Sequence, residues 1–316
     1  MQYLKKTVAD MALEGKKVLL RCDYNVPLNQ GEIVDDTRIR ASLKTVNYIL
    51  EQGAALILCS HLGRPKGEVK PEMSLQPVAR HLEQLLGRSV RMAPDCVGPE
   101  VEALAAALQP GEVLLLENLR FHKAEEKNDP DFAKALASLA DVYVSDAFGT
   151  VHRAHASTAG VADYLPGCAG FLIEAELKAL GGAMEDPKRP LVAVLGGGKV
   201  ADKLAVIDNL LDKAQVLLIG GGMSYTFRKA LGGSIGSSIL DEEKIPYVLQ
   251  MMKKAEEKGV KLLLPVDTVV TREFKAGAET QVCPAGEIPE GWEGVDIGPE
   301  TRELFRAALQ GAGTVI

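Results

Sequence analysis

Apolar positions in the first half of the chain fall into short blocks separated by longer amphipathic stretches. Lys17–Val26 (KVLLRCDYNV), Ala54–Ser60 (AALILCS), Ser89–Ala93, Val113–Glu117 and Val142–Ser145 read as strands. In Asp36–Leu50, by contrast, Ile39, Leu43, Val46 and Leu50 recur three and four residues apart, the spacing of one helix face. Leu75–Leu86 and Pro130–Leu139 carry the same pattern. Strands alternating with helices predict βαβ crossovers and a mostly parallel sheet.

A longer amphipathic stretch, Phe171–Met184, follows the turn-rich Leu165-Pro166-Gly167 and stops before Pro187 and Pro190. It is predicted to be a helix joining two domains. The alternation then restarts with strand Leu191–Leu195, helix Val200–Lys213, strand Gln215–Ile219 and helix Met223–Leu231. Helix Ile245–Lys258, strand Val260–Leu264 and helix Pro299–Leu309 follow, the last with proline at a favourable early position. Gly313-Thr314-Val315-Ile316 reads as the beginning of a further strand. The expected fold is α/β: two doubly wound parallel-sheet domains, 1–168 and 188–316, joined by a helical segment at 169–187. The second domain is expected to be incomplete.

Composition narrows the function classes. A chain of 316 residues with 47% hydrophobic content can bury two cores of ordinary size. The net charge of −7 is spread along the sequence, without the basic stripe that a nucleic-acid partner demands. MQYLKKTVAD lacks the apolar core of a signal peptide, and no apolar run approaches the ~18 residues of a membrane span. The five cysteines (Cys22, Cys59, Cys96, Cys168, Cys283) are far apart, with no CxxC pair. That spacing fits reduced thiols better than a disulfide framework or a zinc site. A cytoplasmic protein with small-molecule partners is expected, with neither nucleic acid nor membrane among them.

The candidate chemistry of the first half is cationic. His61, His122, His152 and His155 lie just past predicted strands or in the loop beyond, whereas His81 lies inside a helix pattern. Arg64 (HLGRPKG), Arg120 (ENLRFHK) and Arg153 (VHRAHAST) sit at the same places, and Arg38 (DDTRIR) begins the first helix. Ligands of open α/β sheets bind beyond the carboxyl ends of the strands. Guanidinium groups gathered there pair two phosphate or carboxylate oxygens at once. One such arginine alone is most simply a solvated charge; several strand ends with the same chemistry point to a polyanion pocket. Asp23 and Asn25 serve equally as turn formers before Pro27 or as partners for substrate hydroxyls, and spacing leaves the two readings even.

In the second half Leu195-Gly196-Gly197-Gly198-Lys199-Val200-Ala201-Asp202-Lys203 joins a strand to a helix, and Gly220-Gly221-Gly222 ends the next strand. Glycines admit a phosphate close to the backbone, and a helix start offers free N–H groups. Lys199 and Lys203, four apart, are expected on one helix face pointing at the anion. A tight connection is the plainer reading of a GGG turn. Gly196–Ala201 satisfies G-x-G-x-x-A, yet Ile219-Gly220 stands where a dinucleotide fold places its acidic residue. A Walker A loop fails at Ala193 and Val200. The half contains no histidine, so chemistry there rests on charge and positioning, as phosphoryl transfer does.

Taken together, RCDYNVPL, DDTRIRASL, CSHLGRPKG, LLLENLRFHKAEEKND, YVSDAFGTVHRAHAST, GFLIEAELKAL, GGGKVADKL, IGGGMSYTF, LLPVD and DIGPET resemble successive blocks of the phosphoglycerate kinase family, in family order. The resemblance covers the whole chain. It implies Rossmann-like domains, a hinge helix, a monomer, and transfer between 1,3-bisphosphoglycerate and ADP giving 3-phosphoglycerate and ATP. It assigns 3-phosphoglycerate to Asp23, Asn25, Arg38, His61, Arg64, Arg120 and Arg153, with Arg38 also catalytic. It assigns ATP or ADP, bound with Mg2+, to Gly196, Gly197, Lys199, Lys203, Gly220, Gly221 and Gly294, with Lys203 on the transferring group.

Family members continue past the position of Ile316 with a WNGPxGxFE-like segment and a GGDS/T-like helix start, which supplies the carboxylate that holds magnesium. No metal ligand is therefore assigned in this chain, and turnover by these 316 residues is left open. Two other readings remain to be weighed: a nicotinamide-dependent oxidoreductase, and an anion-binding module that binds without transfer.

Overall fold

The computed structural model describes residues 5–316. The chain divides into two compact units, the first ending at Ala179 and the second running Leu180–Ile316.

In the first unit six parallel strands form one sheet. Their spatial order is Val90–Met92, Val113–Leu115, Ala55–Cys59, Lys17–Arg21, Val142–Ser145 and Gly167–Ala169. Parallel sheets are covered on both faces, so their strands read as unbroken apolar runs. Successive side chains here alternate between two cores. Val18, Leu20, Leu56 and Leu58 face one layer, and Leu19, Ile57, Cys59 and Leu114 the other. Each fully buried Leu or Ile contributes roughly 1.5–3 kcal/mol. Helices Thr37–Glu51 and Gln76–Leu86 supply Ile39, Val46, Ile49, Val78 and Leu82 to the first layer. Helices Pro99–Ala107 and Pro130–Ala137 supply Val101, Phe132 and Leu136 to the second.

The sequence-predicted first strand ends early, at Arg21, so Asp23 and Asn25 lie in the loop beyond it. A parallel edge strand, Gly167–Ala169, starts at the last residue of the turn-rich Leu165-Pro166-Gly167 and was not anticipated from sequence. The joining helix runs Phe171–Glu185. Its start is capped by Asp146, whose Oδ1 accepts from Leu172 N (2.9 Å) and Ile173 N (3.2 Å).

The second unit holds a parallel sheet ordered Lys261–Leu263, Val216–Ile219, Leu191–Leu195 and Thr314–Val315. Helices Leu204–Leu211, Met223–Ala230 and Ile245–Glu257 pack Ile207, Phe227 and Val248 on one face. Helix Pro299–Leu309 packs Phe305 on the other. Beside them stands an antiparallel sheet that the sequence reading did not anticipate. Asp267–Thr271 lies between Thr280–Pro284 and Glu293–Ile297, with a bulge at Val269/Val270.

Candidate functional site

The four central strands of the first sheet each send a loop past their carboxyl ends, and these loops enclose one cavity of about 250 Å3. Asp23 and Asn25 follow Lys17–Arg21, and His61, Gly63 and Arg64 follow Ala55–Cys59. Arg120 follows Val113–Leu115, while Gly149, Thr150 and Arg153 follow Val142–Ser145. Arg38 enters from the first turn of its helix. All seven residues that the resemblance assigns to 3-phosphoglycerate therefore line a single cavity, whereas His152 and His155 do not.

Inside it the charges are organised. Arg38 Nη1 donates to Asp23 Oδ2 at 2.5 Å, with the arginine side chain 52% exposed. Arg120 is buried and donates from Nη1 to Gly63 O at 2.9 Å. Asn25 Oδ1 accepts from Gly63 N at 2.8 Å, and Asn25 N donates to Asp23 Oδ1 at 3.3 Å. Turn formation and cavity lining thus coexist at Asp23 and Asn25, so the two sequence readings were not exclusive.

His61 is 3% exposed, and its pKa is pushed down to about 2 by burial first and then by Arg21, Arg120, Arg153 and Arg38. The ring is neutral at ordinary pH. Arg21 Nη2 lies 3.3 Å from His61 Nδ1, and a guanidinium only donates. Nδ1 is therefore the acceptor, and the proton sits on Nε2. The cavity gains a neutral N–H donor among its guanidiniums.

Four residues that hold this geometry were not identified from sequence. Arg21, 1% exposed, donates from Nε to Ser157 Oγ at 2.9 Å, and Ser157 Oγ donates to the buried Glu125 at 2.6 Å. Asn118 is fully buried with both amide atoms in use. Its Oδ1 accepts from Leu62 N and Arg120 N, each at 3.1 Å, and its Nδ2 donates to Leu62 O (2.7 Å) and Met73 O (2.9 Å). That amide ties the His61 loop to the Arg120 loop. The available signal was a charge interrupting the apolar run KVLLRC and a polar residue directly past a strand end.

His122, grouped from sequence with the cationic loops, does not line the cavity; its Nε2 meets Asp95 Oδ1 at 2.6 Å.

In the second unit the two glycine turns touch. Met223 N donates to Gly197 O at 2.8 Å, and Gly220 N to Leu195 O at 2.7 Å. Gly221 adopts φ +62°, and a Cβ there would stand 3.0 Å from Gly197 N, so only glycine fits without moving backbone. Lys203 reaches over this turn, its Cε 4.0 Å from where a Gly197 Cβ would be. Lys199 departs from expectation. The chain stays non-helical until a short 3₁₀ turn at Ala201–Lys203, and the α-helix begins only at Leu204. The shared helix face predicted for Lys199 and Lys203 is absent because three glycines carry no helix-forming preference.

Gly294 lies on the antiparallel sheet opposite Val270. A Cβ there would come within 2.2 Å of Tyr225 Oη. Tyr225 belongs to the helix that opens straight after the Gly220–Gly222 turn. Gly294 N also donates to Ser238 Oγ at 2.9 Å. Its absent side chain thus makes room for the tyrosine that links this sheet to the turn.

With this geometry in view, a family model described as phosphoglycerate kinase matches residues 8–316. The phosphoglycerate kinase of Moorella thermoacetica is 59% identical over 312 residues, covering 99% of this chain and 79% of that protein. That of Clostridium botulinum is 53% identical over 319 residues, covering 100% of this chain and 80% of that protein. The solved structure of phosphoglycerate kinase from Coxiella burnetii superposes with a TM-score of 0.83 at 41% identity, over 98% of this chain and 79% of that one.

Proposed function

The chain belongs to the phosphoglycerate kinase family, and we infer from this that it catalyses reversible phosphoryl transfer between 1,3-bisphosphoglycerate and ADP, giving 3-phosphoglycerate and ATP in glycolysis. The observation that carries the reading is the convergence of Arg38, Arg64, Arg120 and Arg153 with Asp23, Asn25 and His61 on one cavity.

3-Phosphoglycerate has a phosphate, a carboxylate and a hydroxyl. Guanidinium forks suit the two anions. Asp23 and Asn25 suit the hydroxyl and carboxylate end, and the Nε2–H of neutral His61 adds a donor. In the direction of ATP use, a carboxylate oxygen attacks the γ-phosphorus and the bond to the β,γ-bridging oxygen breaks, releasing ADP. The nucleophile is already deprotonated at neutral pH, so no general base is required. The transition state then depends on alignment and neutralised oxygens. Arg38 is assigned that neutralisation from the first unit and Lys203 from the second.

The touching glycine turns at Gly196–Gly197 and Gly220–Gly221 support a nucleotide phosphate site, with Lys199 and Lys203 as its cations and Gly294 towards the base. Mg2+ enters as part of the MgATP or MgADP substrate. Among the described residues no helix is long and apolar enough to cross a membrane. The reading further assigns the protein to the cytoplasm as a monomer working on small molecules, and its five cysteines are free thiols.

The test is transfer from MgATP to 3-phosphoglycerate, followed by coupled spectrophotometry. Turnover that requires the 3-phospho isomer and falls in Arg38→Ala is expected. Absence of turnover together with absence of 3-phosphoglycerate binding would overturn the assignment. Binding without turnover would instead describe an anion-binding module.

A further inference from the structure

One group of chemically able side chains lies outside both sites. Asp95 and Cys96 follow the edge strand Val90–Met92, and His122 follows the neighbouring strand Val113–Leu115. Backbone bonds hold the two loops side by side: Ala93 N to Leu115 O at 2.8 Å, and Glu117 N to Asp95 O at 3.3 Å. One ligand atom from each of Asp95, Cys96 and His122 lies within 4.8 Å of the others. The imidazole is oriented from both sides, by Asp95 Oδ1 at 2.6 Å from Nε2 and by the Phe132 ring at 5.0 Å between centroids. Cys96 is fully buried and donates its S–H to Glu117 O at 3.1 Å.

We propose that Asp95, Cys96 and His122 form a binding site for a zinc-class divalent cation. A thiolate, an imidazole and a carboxylate are the donors that such a borderline ion takes. Magnesium and calcium demand oxygen ligands and are excluded by the same donor set. Three protein ligands leave a fourth position for water. The exposure of the Asp95 and His122 side chains, 46% and 30%, opens that position to solvent while Cys96 stays closed.

Binding displaces the thiol proton held towards Glu117 O, which is released as the cation enters, and moves the ring proton of neutral His122 to Nδ1, freeing Nε2 as the ligand. The nitrogen and oxygen, now at hydrogen-bond distance, need to separate by only ~0.7 Å to become neighbouring corners of a tetrahedron with ligand distances near 2.0–2.1 Å. The segment Glu117–His122 carries Arg120 to the anion cavity, so the cation would pin that segment at its His122 end.

Cobalt(II) is the probe, added to the intact chain after chelator treatment. One equivalent should bind, giving a thiolate-to-cobalt charge-transfer band and the intense visible bands of tetrahedral coordination. Cys96→Ser should abolish the charge-transfer band, while Cys283→Ser should leave it unchanged. His122→Gln, at a partly exposed position, should weaken cobalt binding by about 100-fold or more. Zinc should raise the thermal midpoint of the unaltered chain and not that of either ligand variant. No binding at one equivalent, a charge-transfer band surviving in Cys96→Ser, or full affinity in His122→Gln would each overturn the proposal.

Discussion

Replacing Arg38 by alanine separates its contact with Asp23 in the fold from the catalytic role proposed for it. Its partner in the fold is Asp23, at 2.5 Å, and the arginine is half exposed. Exposed ion pairs contribute about 0.2–1 kcal/mol. Position 38 lies in the first turn of a helix, where alanine is the better helix former. Folding stability should therefore scarcely change. Loss of an electrostatic donor to a developing charge, by contrast, removes about 2.7–4 kcal/mol and slows turnover about 100- to 1,000-fold. The transition-state effect exceeds the structural one severalfold.

The assay is the initial rate against 3-phosphoglycerate at saturating MgATP, with calorimetric affinity and a thermal melt on the same material. We expect kcat to fall two to three decades, while the 3-phosphoglycerate Kd shifts by less than about tenfold, or 1.4 kcal/mol. Arg38→Lys should recover only part of the rate, since an ammonium lacks the fork. An unchanged kcat with a raised KM would refute the assignment and make Arg38 a ground-state binding residue.

Three further outcomes follow from the buried groups. His61 has a pKa lowered to about 2 in the fold against 6.5 unfolded. Its contribution is thus fully present above pH 6.5 and is lost as pH falls towards 2, at about 1.4 kcal/mol per pH unit per proton; denaturation from pH 7 to 5 should show this slope, and His61→Gln should remove it. Arg21→Met should raise the His61 pKa, read by NMR titration, because Arg21 is the second cause of its depression after burial; it should also destabilise by about 1–3 kcal/mol by leaving His61 Nδ1 without its donor. Gly294→Ala should cost about 1–3 kcal/mol in a melt and weaken nucleotide binding, because the new methyl displaces Tyr225.

What the sequence made legible was local. Apolar runs and helical spacing located five of the six strands that build the first sheet, and the rule for strand ends placed the cationic loops together. The family blocks supplied the proposed roles. The long-range network was hidden: Arg21 and Ser157 are 136 residues apart, and no periodicity encodes such a pairing. The antiparallel sheet was missed because Thr280–Pro284 is mostly exposed and lacks apolar alternation. Lys199 was paired with Lys203 on their four-residue spacing, which places two side chains on one face only where the backbone between them is helical, and the α-helix begins at Leu204. His122 looked like its neighbours Arg120 and Lys123 in sequence, yet its ring turns to Asp95.

The measurement that tests the central claim most directly is a calorimetric titration of 3-phosphoglycerate into the chain and into an Arg64→Ala, Arg153→Ala double variant. The account predicts one-to-one binding that weakens with salt and is lost in the variant. Binding that survives both substitutions unchanged, or no binding to the unaltered chain, would contradict it.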